Sequence, residues 1–229
     1  MSFSGRIVMI TGASGNLGRA VAAAFAARGA TLVLLGRRST APAAAKHVAM
    51  VVDLLDAPAV AQAVDRAIEQ LGRIDVLCNL AGGFRMGPAV HETSAEDWEF
   101  LLDINARTVL NTAKAVVPRM LAAGGGKIVN VGAYAAQKGA AGMGAYIAGK
   151  SAVIRLTETM AAELRNGNIN VNCVLPTIID TPENRAAMPQ ADPSRWVAAS
   201  DLAEVIVFLA SDAARAVHGA ALPVTGLSA

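Results

Sequence analysis

The sequence MITGASGNLGRAV, at residues 9–21, decides the fold of this chain. An apolar, β-type run leads into it, Gly12, Gly15 and Gly18 interrupt it, and a helical pattern follows. Glycines at these spacings allow a tight turn and let backbone N–H groups approach a phosphate, while the helix N-terminus adds partial positive charge. Such a triplet also occurs in ordinary strand-to-helix turns. Its place at the first strand–helix junction favours a dinucleotide-binding unit.

The remaining chain continues the alternation of strands and helices. The strand candidates are near-continuous apolar runs, which is typical of strands buried on both faces of a parallel sheet. They are RIVMIT (6–11), TLVLL (31–35), HVAMVV (47–52), IDVLCNL (74–80), KIVNV (127–131), INVNCVL (169–175) and AALPVT (220–225). Helical patterns cover residues 16–28, 57–71, about 94–122, a segment carrying Val153, Leu156, Met160 and Leu164 on one face, and about 201–210.

This pattern predicts an α/β fold: a single-domain Rossmann-type, doubly wound parallel sheet of about seven strands with helices on both faces. The 229 residues suit one such domain, over 1–229, with a sizeable core. Gly29 and Gly72 are expected to end the first two helices, and Ser94 to cap the long one. Between Arg38 and His47 there is room for only a short helix.

Composition limits the function classes. Hydrophobic residues make up 54% of the chain and charged residues 17%, which disfavours disorder. The longest apolar runs are too short to span a bilayer, and the net charge of +2 is scattered, so neither membrane nor nucleic acid is an expected partner. No signal-peptide pattern opens the chain, and Cys78 and Cys173 lie in apolar runs. We expect a cytoplasmic protein with buried thiols, and the isolated histidines predict no metal site.

The end of the second predicted strand bears on the choice of dinucleotide. An acidic residue there would bind the adenosine ribose hydroxyls and favour NAD, but this chain has Gly36 followed by Arg37 and Arg38. Two guanidinium groups match the geometry of a 2′-phosphate. The sequence therefore favours NADP(H), with NAD(H) possible; the alternative is a solvated basic turn.

The motif Tyr-x-x-x-Lys occurs twice, as Tyr134/Lys138 and Tyr146/Lys150. The first copy is followed by closely spaced glycines, which indicate a loop, where a four-residue spacing does not bring two side chains together. The second copy opens a strongly periodic helical segment, where positions i and i+4 share a face. We therefore expect Tyr146 and Lys150 to act as a pair.

The chemistry of this pair suits proton transfer. A free phenol has a pKa of about 10, and a nearby ammonium favours the phenolate and lowers that pKa. Lys150 is predicted to do this while also bonding the ribose of a bound nicotinamide nucleotide. Tyr146 would then protonate a substrate oxygen or nitrogen as hydride arrives from the cofactor.

With these residues in place, the chain resembles the short-chain dehydrogenase/reductase family over nearly its full length. The matching motifs are TGASGNLG (11–18), Asp53 after the third strand, NLAG (79–82), Asn105 in the long helix, YIAGK (146–150), Pro176 after the sixth strand, and Thr181. The resemblance implies a homodimer or homotetramer acting on a small-molecule substrate, with a loop at about 176–200 covering that substrate.

The resemblance also implies individual roles. Asp53 would bond the adenine, Asn105 would hold a water next to Lys150 in a proton relay, and Thr181 would touch the nicotinamide amide. The implied catalytic residues are Tyr146, Lys150 and Asn105. The implied cofactor-binding residues are Gly12, Ser14, Asn16, Leu17, Gly18, Asp53, Asn79, Ala81, Gly82, Lys150, Pro176 and Thr181, to which the sequence adds Arg37 and Arg38.

Three positions depart from the family pattern, and the ending TGLSA also lacks the usual second glycine. Asn16 stands where a glycine is usual, and Thr177 replaces the glycine that usually follows the proline. The third departure concerns a catalytic serine 13 residues before the tyrosine: at that position, 146 − 13 = 133, this chain has Ala133. Alanine cannot donate a hydrogen bond to a substrate oxygen, and such a donor can be worth roughly 3 kcal/mol in the transition state.

One subfamily offers an explanation for Ala133. Dihydropteridine reductases keep the tyrosine and lysine but carry alanine in place of the serine, and their quinonoid substrate is already a strong hydride acceptor. The segment 174–196 and the turn GGF at 82–84 also resemble theirs, although those enzymes prefer NADH. The sequence predicts an NADP(H)-dependent oxidoreductase for a carbonyl or quinonoid substrate. The alternatives are a cofactor-binding protein with little or no turnover, and a dehydratase or epimerase that uses the same tyrosine.

Overall fold

The computed structural model describes residues 1–38 and 46–228. The short helix expected between Arg38 and His47 falls mainly on residues 39–45, which lie outside the described residues. The main sheet has the strands β1 (Ile7–Thr11), β2 (Thr31–Gly36), β3 (Val48–Val51), β4 (Val76–Asn79), β5 (Gly126–Val131), β6 (Ile169–Pro176) and β9 (Ala221–Val224).

The seven strands of this sheet run in the order β3-β2-β1-β4-β5-β6-β9. Every pairing along it is parallel. Successive strands are added on one side of β1, as β2 and β3, and then on its other side, beginning with β4. The strand order therefore reverses at β1. Crevices for ligands form at such a switch point, outside the carboxyl ends of the strands. The predicted doubly wound parallel sheet is therefore confirmed.

The helices are α1 (Asn16–Ala26), α2 (Ala57–Leu71), α3 (Ala95–Leu102), α4 (Thr108–Ala122), α5 (Gly144–Leu164), α6 (Pro182–Ala187) and α7 (Ala199–Leu209). Helices α1 and α7 cover one face of the sheet, where Phe25 and Ile206 are fully buried. On the other face α2, α4 and α5 bury residues such as Val64 and Met120. Each such side chain stabilises the fold by about 1.5–3 kcal/mol relative to exposure.

Two predicted helix ends agree closely with the structure. Gly72 follows α2 with φ +87°, and the Ser94 hydroxyl accepts a hydrogen bond from the Asp97 backbone N–H at 3.0 Å, which caps α3. Helix α1 ends at Ala26, before the expected residue 28, and Gly29 then turns the chain with φ +88°. The long predicted helix is interrupted at residues 103–107 by a π-helical turn between α3 and α4.

A buried chain of polar side chains crosses the middle of the fold. The Asn79 amide donates to Asn130 Oδ1 on the neighbouring strand at 2.9 Å, and Asn130 donates to the Thr157 hydroxyl on α5 at 2.9 Å. The Thr112 hydroxyl on α4 donates to Asn79 Oδ1, also at 2.9 Å. Because each of these polar groups has a partner, none carries the penalty of an unpaired buried amide or hydroxyl.

The segment after β6 forms a layer over the carboxyl edge of the sheet. It contains the short strands β7 (Ile179–Asp180) and β8 (Val197–Ala198), which pair in parallel, with α6 between them. The Trp196 side chain is buried and serves as packing. The Thr177 hydroxyl donates to the Thr225 carbonyl at 2.9 Å, so this non-glycine residue fastens the start of the segment to the chain after β9. We call residues 176–200 the lid.

Candidate active site

The glycine-rich loop presents the backbone of α1 to the crevice. Gly15 precedes α1 without any side-chain cap, so the first N–H groups of the helix have no side-chain acceptor. Gly12 has φ +64°, and a Cβ on it would lie 2.9 Å from the Ala81 backbone nitrogen. A Cβ on Gly18 would overlap the Gly12 carbonyl. These residues fit a phosphate-bearing group at the helix N-terminus, as the sequence predicts.

Other predicted members of this loop lie at the same place. Ser14, Asn16 and Leu17 are all partly exposed at the start of α1. The Asn16 amide donates to Glu183 of the lid at 2.5 Å, and the Arg19 guanidinium donates to Asn16 Oδ1 and, at 2.6 Å, to the Ser14 carbonyl. Arg19 and Glu183 were not singled out from the sequence.

The adenosine end of the crevice begins at the end of β2. Gly36 is buried next to Ser14, whose hydroxyl would lie 3.6 Å from a Cβ on Gly36. Arg37 and Arg38 follow and are exposed, so both guanidinium groups are free of the core. Asp53 is exposed after β3, and its Oδ1 accepts a hydrogen bond from the Leu55 backbone N–H at 3.0 Å.

The NLAG turn contributes unequally to the crevice. Asn79 uses both ends of its carboxamide in the buried polar chain, so its side chain faces the interior and only its backbone, at the end of β4, is left for the predicted cofactor contact. The turn itself is held by the Thr11 hydroxyl, which accepts from the N–H groups of Leu80 at 3.0 Å and Ala81 at 3.2 Å. Ala81 and Gly82 remain at the crevice surface.

Tyr146 and Lys150 lie four residues apart in the first turns of α5, as predicted from their spacing. Lys150 is buried, and its ammonium donates to the Val131 carbonyl at 2.8 Å. Tyr134 and Lys138 instead belong to a short 3-10 turn and the extended residue that ends it, outside any α-helix. The structure therefore gives a shared α-helical face to the second pair alone.

The pKa values of this pair differ from the sequence-based expectation. Burial raises the pKa of Tyr146 to about 12, whereas we predicted that the ammonium would lower it. Burial also lowers the pKa of Lys150 to about 8, with a smaller opposing effect from Cys173. The physical reason is desolvation, which disfavours the charged form of each group. With its pKa raised to about 12, the phenol of Tyr146 is a protonated donor at neutral pH.

Asn105 lies within the π-helical turn and is buried. Its amide donates to the carbonyls of Leu101 at 2.9 Å and Gly83 at 3.0 Å, and its Oδ1 accepts from the Gly83 N–H at 3.2 Å. A Cβ on Gly82 would lie 2.9 Å from Asn105 Oδ1 and 3.0 Å from Lys150 Nζ. The missing side chain of Gly82 thus leaves a small space that both polar groups border, and π-helical turns recur at functional sites.

The surroundings of the Tyr146 ring are apolar. Ala133 is buried in a cluster with Cys173 and Leu175, against which Tyr146 packs. The Phe84 ring lies edge-on to the Tyr146 ring, with centroids 4.9 Å apart and an interplanar angle of 90°. Phe84 was noted in the sequence only as part of a turn, because aromatic contacts across loops leave no periodic signal.

The lid supplies the last predicted positions. Pro176 ends β6 and is buried, and Thr181 precedes α6, where its hydroxyl accepts from the Asn184 N–H at 3.1 Å. The expected loop at about 176–200 is therefore an ordered layer containing a helix and two short strands. The Thr181 hydroxyl therefore accepts from the backbone at the start of α6, and its side chain also hydrogen-bonds to the Glu183 carboxylate, which helps lower the pKa of Glu183.

The described residues contain neither a membrane-spanning helix nor a cluster of metal ligands. No helix within 1–38 and 46–228 is long and apolar enough to cross a membrane. In the same ranges, no three His, Cys, Asp or Glu side chains are grouped so that they could hold a metal ion.

Comparison with known proteins identifies the family. The short chain dehydrogenase family model matches residues 6–192. D-threitol dehydrogenase of Mycolicibacterium smegmatis is 35% identical, with 97% of this chain and 92% of that protein covered. A 3-oxoacyl-[acyl-carrier-protein] reductase of Thermotoga maritima is 32% identical over 99% of this chain and 98% of its own length. The solved structure of carveol dehydrogenase from Mycobacterium avium in complex with NAD superimposes with a TM-score of 0.89 at 31% identity, covering 98% of each chain. This chain belongs to the short-chain dehydrogenase/reductase family.

Proposed function

We propose that this protein is an NADP(H)-dependent oxidoreductase that transfers hydride between a nicotinamide and a carbonyl or quinonoid substrate. The observation that carries the proposal is the placement of Tyr146 and Lys150 on one face of α5. That face lies beside the NLAG turn, since Gly82 approaches Lys150. Similarity to D-threitol dehydrogenase and to an NAD-bound carveol dehydrogenase supports nicotinamide chemistry. When bound, the nicotinamide supplies or accepts the hydride.

The chain's own residues handle the proton. Tyr146 donates from its phenol oxygen to the substrate oxygen or nitrogen, and its raised pKa keeps it protonated until that moment. Lys150 supplies positive charge beneath the developing phenolate. The Asn105 amide already donates to the carbonyls of Gly83 and Leu101. A water in the space bordered by Gly82 would therefore connect Lys150 to the backbone around Asn105. We therefore assign Asn105 the role of shaping the relay through the π-helical turn.

The choice of NADP(H) is supported by charge at the end of β2. Gly36 presents no carboxylate to the ribose hydroxyls, and the exposed Arg37 and Arg38 follow it. A guanidinium group donates two parallel hydrogen bonds to a phosphate. NAD(H) remains possible, since the carveol dehydrogenase structure contains NAD.

The substrate class is inferred from what stands near Tyr146. Ala133 offers no hydroxyl, so a simple ketone lacks one donor to its developing oxyanion. A quinonoid ring is already a strong hydride acceptor and depends less on that donor. The exposed faces of Phe84 and Met86, with 56% and 67% of their surfaces accessible, provide apolar area for a planar ring. We propose a quinonoid substrate, with a quinonoid dihydropteridine as the first to test, in keeping with the resemblance to dihydropteridine reductases.

Ala133 also favours the second candidate function, a cofactor-binding protein with little or no turnover. Three cooperating groups, Tyr146, Lys150 and Asn105, support the enzyme instead. A dehydratase or epimerase would use the same tyrosine but consume no NADPH in a net-redox-neutral reaction.

The test is an NADPH-oxidation screen that includes a quinonoid dihydropterin, quinones and simple ketones. We expect turnover of at least one quinonoid compound, and we expect Tyr146→Phe to abolish it while NADPH still binds by fluorescence titration. Tyr134→Phe is the matched control, because it removes the same hydroxyl from the other motif. Turnover by Tyr146→Phe comparable to that of the unmodified chain would refute the proton-donor role. NADPH binding without turnover of any compound would favour the binding protein.

The family resemblance also leads us to propose a homodimer or homotetramer. The exposed leucines Leu110 and Leu121 on α4 are compatible with a subunit contact. Light scattering coupled to size-exclusion chromatography would give the subunit count, and a monomer at micromolar concentration would contradict this part of the proposal. Location in the cytoplasm stays a prediction from the sequence.

A further inference from the structure

A carboxylate of the lid lies at the start of α1, where the proposed function needs a diphosphate. Glu183 Oε2 accepts a hydrogen bond of 2.5 Å from the Asn16 amide, and Asn16 is the first residue of α1. The Asn16 side chain is also held by Arg19, which donates a hydrogen bond to Asn16 Oδ1. The three side chains thus form one chain from helix to lid, with Asn16 in the middle.

This contact is distinct from the bonds that build the lid itself. The Asn184 amide donates to the Ile179 carbonyl at 2.8 Å, and Arg185 binds both oxygens of Asp180 at 2.6 and 2.8 Å. All of these join residues within the lid. Among the described residues, the bond from Glu183 to Asn16 is the hydrogen bond that ties α6 to the glycine-rich loop.

The position is chemically suited to an anion. The uncapped first turn of α1 carries partial positive charge, and the Arg19 guanidinium lies beside it. A carboxylate is stabilised there for the same reasons as a phosphate oxygen. The two cannot share the position without repulsion, because like charges a few ångströms apart destabilise each other.

We propose that Glu183 competes with the diphosphate of the dinucleotide for Asn16 and the start of α1, so that cofactor binding breaks the tie between α6 and the glycine-rich loop. This inference rests on the proposed function, since it takes the anion to be a nicotinamide dinucleotide. It gives a role to Asn16, which replaces the usual glycine: a glycine there would have no amide with which to hold the lid. Glu183 thereby lowers cofactor affinity, and cofactor entry frees the first turn of α6 from Asn16.

The first test compares the affinities of NADPH and NADH for Glu183→Gln and Glu69→Gln. Both variants lose one exposed carboxylate, but Glu69 is on α2, so it controls for net charge. We expect Glu183→Gln to bind both dinucleotides about fivefold more tightly, with a smaller gain at high salt. Adenosine 2′-monophosphate lacks the diphosphate and should bind Glu183→Gln and the unmodified chain equally. Equal dinucleotide affinities in the two variants, or an equal gain for the monophosphate, would overturn the competition.

The second test needs no nucleotide. Trypsin needs an extended backbone and Arg185 lies in α6, so Asn16→Ala, which removes the donor to Glu183, should be cut after Arg185 several-fold faster than the unmodified chain. Arg73, which is exposed and lies outside the lid, gives an internal reference for cleavage. An unchanged rate at Arg185 would overturn the tie. If the unmodified chain binds neither dinucleotide, the proposed function and the competition between Glu183 and the diphosphate are both refuted. The trypsin digestion would still test the hydrogen bond between Glu183 and Asn16 by itself.

Discussion

Lys150 donates from its buried ammonium to the carbonyl oxygen of Val131 at 2.8 Å, at the end of the strand that leads to Ala133. The bond fixes the cation on the inner side of α5, where desolvation dominates its titration. The backbone of β5 therefore determines both where this charge lies and how easily it is lost.

The first prediction concerns pH. Lys150 has a pKa lowered to about 8 and is charged below it, whereas Tyr146 stays protonated up to about 12. In the proposed mechanism reduction needs both protons in place, so its rate should be level at neutral pH and fall as pH rises through about 8. A pH profile of kcat for NADPH oxidation checks this. Lys150→Arg should move the decline to higher pH, because a guanidinium keeps its proton; an unmoved decline would show that another group titrates.

The second prediction concerns Ala133. Replacing it by serine adds a donor near Tyr146, so Ala133→Ser should raise kcat/KM for simple ketones by about tenfold to a hundredfold, since such donors are worth up to a few kcal/mol. The quinonoid substrate should gain less. Ala136→Ser, in the same buried cluster, controls for a buried hydroxyl. If ketone turnover does not rise, the missing hydroxyl is not what limits this chain.

The third prediction concerns Arg37. Its removal should weaken NADPH binding by about tenfold or more, the usual scale for a charge-assisted hydrogen bond, and leave NADH nearly unchanged. Arg66→Ala removes an equally exposed positive charge from α2 and should change neither affinity. Equal losses for NADPH and NADH in Arg37→Ala would contradict binding of the 2′-phosphate.

The fourth prediction concerns Gly82. A methyl group there would lie 2.9 Å from Asn105 Oδ1 and 3.0 Å from Lys150 Nζ, and would fill the space proposed for the relay water. Gly82→Ala should lower kcat by about tenfold through loss of proton transfer. Gly139→Ala is the control, because nothing lies within 4 Å of its added Cβ. Unchanged kcat in Gly82→Ala would rule out a water there as part of the reaction.

The sequence was sufficient for features that depend on local pattern. The seven parallel strands followed from apolar runs, the Ser94 cap from side-chain chemistry, and the shared face of Tyr146 and Lys150 from helical spacing. Each is determined by residues close together in the chain, so no tertiary contact was needed to predict it.

Features set by packing could not be predicted in this way. The raised pKa of Tyr146 follows from its burial, to which Phe84 of a distant loop contributes an edge-on contact. The π-helical turn at Asn105 depends on bonds to Gly83, 22 residues earlier in the chain. The inward direction of the Asn79 side chain is set by Asn130 and Thr112. In each case the decisive partner lies far away along the sequence.

The buried polar chain through Asn79 and Asn130 has a consequence for assembly of the sheet. If β5 slid by one residue against β4, Asn130 would point to the opposite face, and its buried hydrogen bonds to Asn79 and Thr157 would be lost. A one-residue register shift costs less free energy between purely apolar strands than between two strands whose buried asparagines bond to each other. The hydrogen bond between these two asparagines therefore favours the correct register of β4 and β5. That register places the loops that follow the two strands side by side at the carboxyl edge of the sheet.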